Sequence, residues 1–595
     1  MRSGVPGLEW LALAAIVGVA TWLRLTGLAF GLPAVYNPDE VAIMSRALAF
    51  AKGDLNPHNF LYPTFYFYAL FAWVGAWFVV AWATGIFPSL EAFQTSFFVD
   101  PSSIYLAGRV LGVVCGVATV VLVWRLGRKL SGPGAGLAAA LFLAVAPTAV
   151  RDAHYVKHDV PVTLAITGAY LLMTRIGHVR RPTSDVRPAA KSSRTIVLAA
   201  AATGLAFSTH YYSIFLALPL AFAILDARGA AGWRAVLRGW TIAALVSALV
   251  FFALSPFILI EPHTAWNDIV ANRQIVMDRA IEGPRGLFGS APDYLRMLWH
   301  EAVGTPVLLA ALAGIVWLAW QQPRTAIFLL AFPIPFLAFI SNTVAAGRYV
   351  NPVLPFVACA AGYAIDRLAH VLRARVVGTG SRVWAAGAAT GLVAIILTLP
   401  GLWQSYNIGR FFRQTDTRTL AQQAIEGMVP PGSTVLVQPY SVALTQSRES
   451  LIEALEAKLG DARRASTKFA LRLRLDPYPA PAYRTLYLGD GGLDADKIYV
   501  SYRELDGAQG LEPLRRLGVE YVVLKRYNVE DPAVVPLRTM LVREGKLVWA
   551  VSPYRPGVGS AVRASVAPFL HNTDTPWHPA LERPGPGLEV WSLTP

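Results

Sequence analysis

Residues 104–129 read IYLAGRVLGVVCGVATVVLVWRLGRK, an apolar run that carries Arg109 near its start and is closed by Arg125, Arg128 and Lys129. A helix needs about 20 apolar residues to cross a hydrocarbon layer of about 30 Å, and a basic end marks the side that is not translocated. Comparable runs lie near 8–28, 63–86, 135–151, 160–176, 195–210, 212–226, 239–260, 303–320, 326–342, 352–371 and 383–403. With 595 residues, 55% of them hydrophobic and only 15% charged, the chain cannot be a soluble globular protein or a disordered one. It reads as a polytopic α-helical membrane protein.

The 52 Lys and Arg exceed the 37 Asp and Glu, giving a net charge of +15. In a soluble protein this excess suggests nucleic acid; here it falls into loop clusters, Arg125/Arg128/Lys129, Arg180/Arg181/Arg187/Lys191/Arg194, Arg228/Arg234/Arg238 and Arg367/Arg373/Arg375/Arg382. Membrane orientation explains it without a nucleic-acid partner, because basic loops stay in the cytoplasm. Counting back from them predicts about 11 spans and a cytoplasmic N-terminus, provided that 63–86 does not cross. Residues 29–103 then form an external loop with juxtamembrane helices. Pro63 opens its apolar run, and Tyr62, Phe65, Tyr66, Phe67 and Tyr68 suit a membrane interface. Twelve true spans is the alternative; it puts the N-terminus and the loop 29–62 on the opposite faces or breaks the charge rule. The first run continues through Trp22, Leu23 and Leu25 without a small-residue cleavage site and reads as an uncleaved anchor. Cys115 and Cys359 both lie in apolar runs, a placement that points to neither a disulfide framework nor a cysteine metal site.

The composition changes after residue 403. Alternating strands are expected at 434–438, 497–502, 521–524 and 588–591 and a helix over 416–427, punctuated by Pro430-Pro431-Gly432 and Gly489-Asp490-Gly491-Gly492. The expected organisation is a transmembrane domain, 1–403, and an α/β domain, 404–595, which eleven spans would place outside the cytoplasm.

Three polar constellations fall at outside-facing ends of the expected spans. Asn37-Pro38-Asp39-Glu40 puts two adjacent acids beside the membrane, where desolvation is costly unless the charge is paired or used. Solvated acids in the first turn of a helix opened by Pro38 are the plainer reading. Arg151-Asp152-Ala153-His154-Tyr155-Val156-Lys157-His158-Asp159 packs titratable groups densely into a short connector. It reads either as an interfacial turn with snorkelling cations or as part of a site. His154 and His158, four apart, with Asp159 also resemble part of a metal set, without a clear third ligand. Ser341 to Tyr349 ends in Gly347-Arg348-Tyr349 before Pro352 and Pro355; Arg348 suits phosphate capture or interfacial anchoring. Thr209-His210-Tyr211-Tyr212 belongs to the same face. The external loop 261–302, with Glu261, His263, Asp268, Arg273, Glu282 and Arg285, is long enough to be a mobile lid.

An acid at the membrane surface, cations at the same height and an external domain together suit sugar transfer from a polyprenyl-phosphate carrier. The phosphate needs an Arg or Lys clamp, and the acceptor hydroxyl needs a carboxylate base. A transporter or flippase for a lipid-linked or anionic substrate is the rival reading, although no internal repeat is evident and alternating access does not require a large external domain.

The chain resembles the GT-C class of glycosyltransferases, in the branch of protein O-mannosyltransferases and lipid A aminoarabinose transferases. The marks span about the first 400 residues. They are the stretch from Arg24 to Gly31 leading to Pro38-Asp39-Glu40, the aromatic segment after Pro63, and Arg109-Val110-Leu111-Gly112 opening the run that closes at Lys129. Further on come Ala146-Pro147 before the loop ending in Asp159, Gly204-Leu205-Ala206, and Gly347-Arg348-Tyr349. The resemblance implies Asp39 as catalytic base with Glu40 beside it and Asp159 as the second acid of the cavity. It also implies Arg348 as a carrier-phosphate contact, with Lys157 and Arg109 as further candidates. Tyr62, His154, His158, His210, Tyr211 and Tyr349 complete the expected substrate-binding set; members of the family often carry lysine where His210 stands. Inverting transfer follows from the same likeness, with a polyprenyl-phosphate sugar as donor and a protein, lipid or polysaccharide as acceptor. A metal is not obligatory, and a divalent cation is not excluded. The expected location is the prokaryotic plasma membrane.

Overall fold

The computed structural model describes residues 6–176, 193–227, 232–278, 286–375, 380–492, 494–505, 509–571 and 576–593. The basic residues 180–191 and Arg228, on which part of the topology count rested, lie outside the described residues. The chain divides into two compact units. The first comprises Met1–Leu28, Asp39–Trp77 and Tyr105–Gly409, and the second Ala29–Pro38, Phe78–Ile104 and Arg410–Pro595.

The first unit is helical. Among the described residues, seven helices are long and apolar enough to cross a membrane, or eight if the bent pair Ala291–Ala302 and Thr305–Gln321 is one span. The expectation of eleven is corrected accordingly. Several apolar runs fold into helices too short to span, such as Pro133–Ala144 and Asp159–Met173, because prolines and turns cut the runs. The segment 63–86, expected not to cross, contains the 19-residue helix Phe65–Ala83, which is one of the seven. Pro63 precedes this helix rather than breaking it, and no charged residue interrupts it.

Small residues bring the helices close. A Cβ on Gly314 would lie 1.9 Å from the Ala360 carbonyl oxygen, and one on Gly362 would lie 2.4 Å from that of Ala135. The helices Thr305–Gln321, Leu354–Arg375 and Pro133–Ala144 therefore pack through their backbones. In the same core Tyr170 lies against Phe328 and Phe356, and its hydroxyl donates to the Phe328 carbonyl at 3.1 Å. Arg24, fully buried, donates to the carbonyls of Ala144 at 2.9 Å and Leu143 at 3.3 Å. A cation there satisfies the orphan acceptors at the end of Pro133–Ala144 and ties the first helix to the segment leading into the His-rich connector.

The second unit is built on a six-stranded sheet: β1 (Thr434–Val437), β2 (Arg484–Leu488), β3 (Ile498–Val500), β4 (Tyr521–Arg526), β5 (Lys546–Val551) and β6 (Gly587–Ser592). Its order is β3-β2-β1-β4-β6-β5, parallel from β3 to β4 and antiparallel at β6 and β5. β1 is buried along its whole length, as expected of an interior parallel strand. Expectation missed β2, which opens on Arg484 and Thr485, and β5, an edge strand with an irregular register at Leu547/Trp549.

Candidate active site

The helix Pro38–Ala49 places Pro38 at its start and Asp39 and Glu40 in its first turn, where acids offset the positive end of the dipole. Consecutive residues point about 100° apart around a helix, so the two acids meet different surroundings. Glu40 is fully buried. Its Oε1 accepts from Arg109 Nε and its Oε2 from Arg109 Nη2, both at 3.0 Å, and Oε1 also accepts from the Val156 amide at 3.0 Å. Arg109 Nη1 donates to the Leu28 carbonyl at 2.8 Å. This buried fork thus joins the turn after the first helix, the Asp39 helix, the long helix Ser102–Leu130 and the His-rich connector. The Asp39 side chain remains 49% exposed, its Oδ2 3.0 Å from Lys157 Nζ.

The connector is shaped by the short helix Pro147–Asp152. Arg151 Nε donates to Asp152 Oδ1 at 2.7 Å, and Asn351 Nδ2 donates to Asp152 Oδ2 and, at 3.0 Å, to the Arg348 carbonyl. The backbone of Arg348 is held in this way within the 3₁₀ turn Gly347–Val353, and its guanidinium lies 5.0 Å from the Tyr349 ring. Asp159, buried, opens the helix Asp159–Met173. Tyr349, Arg348, Asp159 and Asp39 all act electrostatically on the Tyr62 phenol, which is pushed well above its usual pKa, first by desolvation. Tyr62 therefore stays a neutral donor.

His158 is buried, stacked on Tyr62 at 4.3 Å and flanked by Tyr66 and Phe67. Burial, and then Arg46, pull its imidazole down to about 3. His210 lies against Tyr212 with ring centroids 3.7 Å apart, and burial, His158 and Arg348 hold it well below its usual value. Among the described residues, His158 Nε2 and the hydroxyls of Tyr66 and Tyr212 are buried without a hydrogen-bond partner. Buried polar atoms of this kind are costly unless something satisfies them.

Other expected residues sit differently. His154 Nδ1 and Nε2 meet the carbonyls of Val150 at 2.8 Å and Thr26 at 3.0 Å. Among the described residues no group of three His, Cys, Asp or Glu could hold a metal, so His154, His158 and Asp159 do not form the metal set that their spacing resembled. The Tyr211 hydroxyl donates to the Phe60 carbonyl at 2.9 Å. The loop 261–302 is tied at both ends. Asp268 Oδ2 accepts from the Phe60 amide at 2.7 Å and Asn272 Nδ2 donates to the Leu61 carbonyl at 2.8 Å, while Ser290 Oγ donates to the Thr343 carbonyl at 2.6 Å. Glu282 and Arg285, within 279–285 of the expected lid, lie outside the described residues, as does the side chain of Arg273. The sequence reading missed Arg46, which acts on His158 and Tyr62. Its signal was spacing: Arg46 is seven residues after Asp39, two turns along one helix face. An apolar groove of about 500 Å³, lined by Phe207, Ile214, Trp240, Phe251 and Phe252 among others, lies beside this cluster, with Phe207 6.1 Å from the Tyr211 ring.

Comparison with known proteins adds three findings. The family model described as dolichyl-phosphate-mannose-protein mannosyltransferase matches residues 79–260. None of the curated proteins matches the chain. Among solved structures, ArnT from Cupriavidus metallidurans bound to undecaprenyl phosphate aligns with a TM-score of 0.50 at 16% identity, over 92% of this chain and 97% of that one. The Archaeoglobus fulgidus oligosaccharyltransferase, tethered to an acceptor peptide, aligns at 0.49 and 12% over 88% and 69%. The mycobacterial arabinofuranosyltransferase AftD aligns at 0.44 and 14% over 100% and 40%. The ArnT likeness establishes the fold: a polytopic GT-C-like helical membrane unit with a C-terminal α/β domain.

Proposed function

We propose that the chain is a membrane glycosyltransferase that moves a sugar from a polyprenyl-phosphate carrier to an acceptor hydroxyl, with Asp39 as base. One observation carries the reading: of two adjacent acids, Glu40 is consumed by a buried fork while Asp39 stays half-exposed beside Lys157. A carboxylate set in the first turn of a helix, half-exposed and beside a cation, suits proton removal from a hydroxyl. Arg348 and Lys157 are the candidate contacts for the carrier phosphate, and Asp159 is the second acid. The unsatisfied atoms of His158, Tyr66 and Tyr212 offer partners to an oxygen-rich ligand. Tyr62, His210 and Tyr349 line the same cluster, and Glu40, Arg109, His154 and Tyr211 hold its walls. The apolar groove suits an isoprenoid tail. The acceptor oxygen attacks the anomeric carbon as its proton passes to Asp39, and the C–O bond to the carrier breaks, releasing polyprenyl phosphate with inversion. This reading follows the ArnT structure in its carrier and the matched family in its reaction class. It places the site on the outer face of a plasma membrane.

The test is release of polyprenyl phosphate from a panel of polyprenyl-phosphate sugars by the purified protein with a crude cell-envelope acceptor. Asp39→Asn should keep the fold and lower donor-specific release by about a hundredfold or more. Wild-type release by Asp39→Asn would remove the base assignment; no release by the wild type from any donor, together with measurable flux across vesicles, would favour transport.

A further inference from the structure

The strand order β3-β2-β1-β4-β6-β5 makes the chain change direction between β1 and β4. After β1 it crosses toward β2 through the helix Arg448–Leu459, and after β4 it runs through the helix Val535–Glu544 toward β5 on the other side. Loops that leave neighbouring parallel strands in opposite directions open a crevice at the strands' carboxyl ends, the usual place for a ligand in such a sheet. The hydrogen bonds show the opening. The Gln438 amide still donates to the Val523 carbonyl at 3.0 Å, but Pro439 follows it with no N–H to offer, and the Lys525 amide turns to the Gln438 side chain, donating to Oε1 at 2.9 Å.

The crevice is lined by Lys525, Tyr527, Asp531 and Arg538 among others, and its depth holds about 20 Å³, room for one water. A larger ligand therefore lies across the mouth. There Lys525 Nζ sits 5.6 Å from the Tyr440 ring centroid and 5.2 Å from that of Tyr527, and donates to the Pro439 carbonyl at 2.9 Å. An ammonium carries three donors, and among the described residues this carbonyl is its one hydrogen-bond acceptor. Tyr440 is 60% exposed and holds φ +65°, a left-handed state that costs a non-glycine residue energy and is kept where function uses it. Asp531, exposed at the rim, is fixed through Oδ1, which accepts the Ala533 amide at 3.0 Å.

The charges of the crevice are matched. Arg526 meets Glu589 at 3.1 Å, Arg538 meets Glu589 at 3.2 Å and Glu530 at 3.0 Å, and Asp531 acts on Lys525. A crevice without excess positive charge does not concentrate phosphates or other anions. Two aromatic faces with a few donors and acceptors between them suit a neutral, hydroxyl-rich molecule that has an apolar face, which describes a sugar.

We propose that the carboxyl ends of β1 and β4 form a saccharide-binding site, with Tyr440 and Tyr527 as its stacking faces and Lys525 and Asp531 as its hydrogen-bond partners. All four residues belong to the second unit, and the site stands without the reading of Asp39 as base. It gives the α/β domain a ligand of its own, a glycan.

The test uses the full-length protein in lipid nanodiscs, free of sugar-headed detergent. Saturation-transfer NMR is recorded with mannan, arabinan and glucan oligosaccharides and with glycans released from the cell envelope. At least one should bind, with transfer from aromatic protons. Tyr440→Gly removes the ring and suits φ +65°, so it should keep the thermal midpoint within about two degrees while weakening binding about tenfold. Tyr440→Phe, which keeps the stacking face, should bind as the wild type does. Lys525→Met should also weaken binding about tenfold. No binding by the wild type, or equal binding by the wild type and Tyr440→Gly, would overturn the site. Binding lost in Asp39→Asn but kept in Tyr440→Gly would put the saccharide in the membrane unit and overturn it too. Inorganic phosphate bound in preference to every saccharide would make the crevice an anion site instead. Should Lys525→Met fail to fold, the two Tyr440 variants still decide the matter.

Discussion

Among the described residues two arginine–carboxylate forks have both partners buried to 98% or more, one in each unit, and they are built on opposite plans. Arg109 and Glu40 lie 69 residues apart in sequence, and their pairing decides where four segments of the helical unit meet. Arg418 and Asp416 lie two residues apart, and their pairing shapes its own turn: Asp416 Oδ1 also accepts from the Arg418 amide at 2.9 Å and caps the helix Thr417–Met428. The long-range fork spends its donors on holding backbone together. The local fork costs little chain entropy to form and leaves a guanidinium face for Tyr36. A buried ion pair can therefore be a joint between distant segments or a preformed tool for gripping another segment, and sequence separation tells which.

Breaking the long-range fork should have the larger effect. Glu40→Ala leaves the Arg109 charge buried without its partner, at about 3–5 kcal/mol, enough to abolish monodisperse protein in a size-exclusion profile. Pairing it with Arg109→Met should recover part of the yield, since the cost lies in the uncompensated charge. The neighbouring Asp39→Asn should leave the profile unchanged. Equal losses from Glu40→Ala and Asp39→Asn would erase the distinction between the two acids.

A smaller effect is expected of Asp416→Asn. The amide oxygen can still accept from the Arg418 amide and Nε, but the amide NH2 then meets the Nη2 donor, so one charge-assisted hydrogen bond is lost, about 2–3 kcal/mol. Thermal unfolding followed at the α/β unit should show a shift of a few degrees. A loss as large as that of Glu40→Ala would mean that the local fork, too, is a joint.

The smallest effect concerns pH. Folded His158 titrates at about 3 and an unfolded histidine near 6.5, so the unfolded chain takes up a proton that the folded one refuses. Stability from this group is complete above about pH 6.5 and declines as pH falls toward 3. Between pH 7 and 5 the thermal midpoint should drop, and His158→Gln should drop less. An equal drop in both would assign the acid sensitivity to other groups.

What the sequence showed and what it hid divide along the range of the interactions. Hydropathy over about 20 residues is a property of contiguous chain, and so residues 104–129 identified a membrane protein at sight. Alternation did the same for β1, β3, β4 and β6, and the first-turn acids stood out at Asp39 and Glu40. The span count failed because length in a run is not length in a helix: turns and prolines cut several runs short, while Phe65–Ala83 proved continuous. Only the tertiary structure decided which of two adjacent acids stays half-exposed and which is sealed, and that Ala29–Pro38 belongs with the C-terminal unit. The partners that settle these questions are Arg109, 69 residues beyond Glu40, and His571, 534 residues beyond Asn37. No local pattern encodes a choice made by groups so far along the chain; folding brings them together, and the cost of burying an unpaired charge then selects one arrangement.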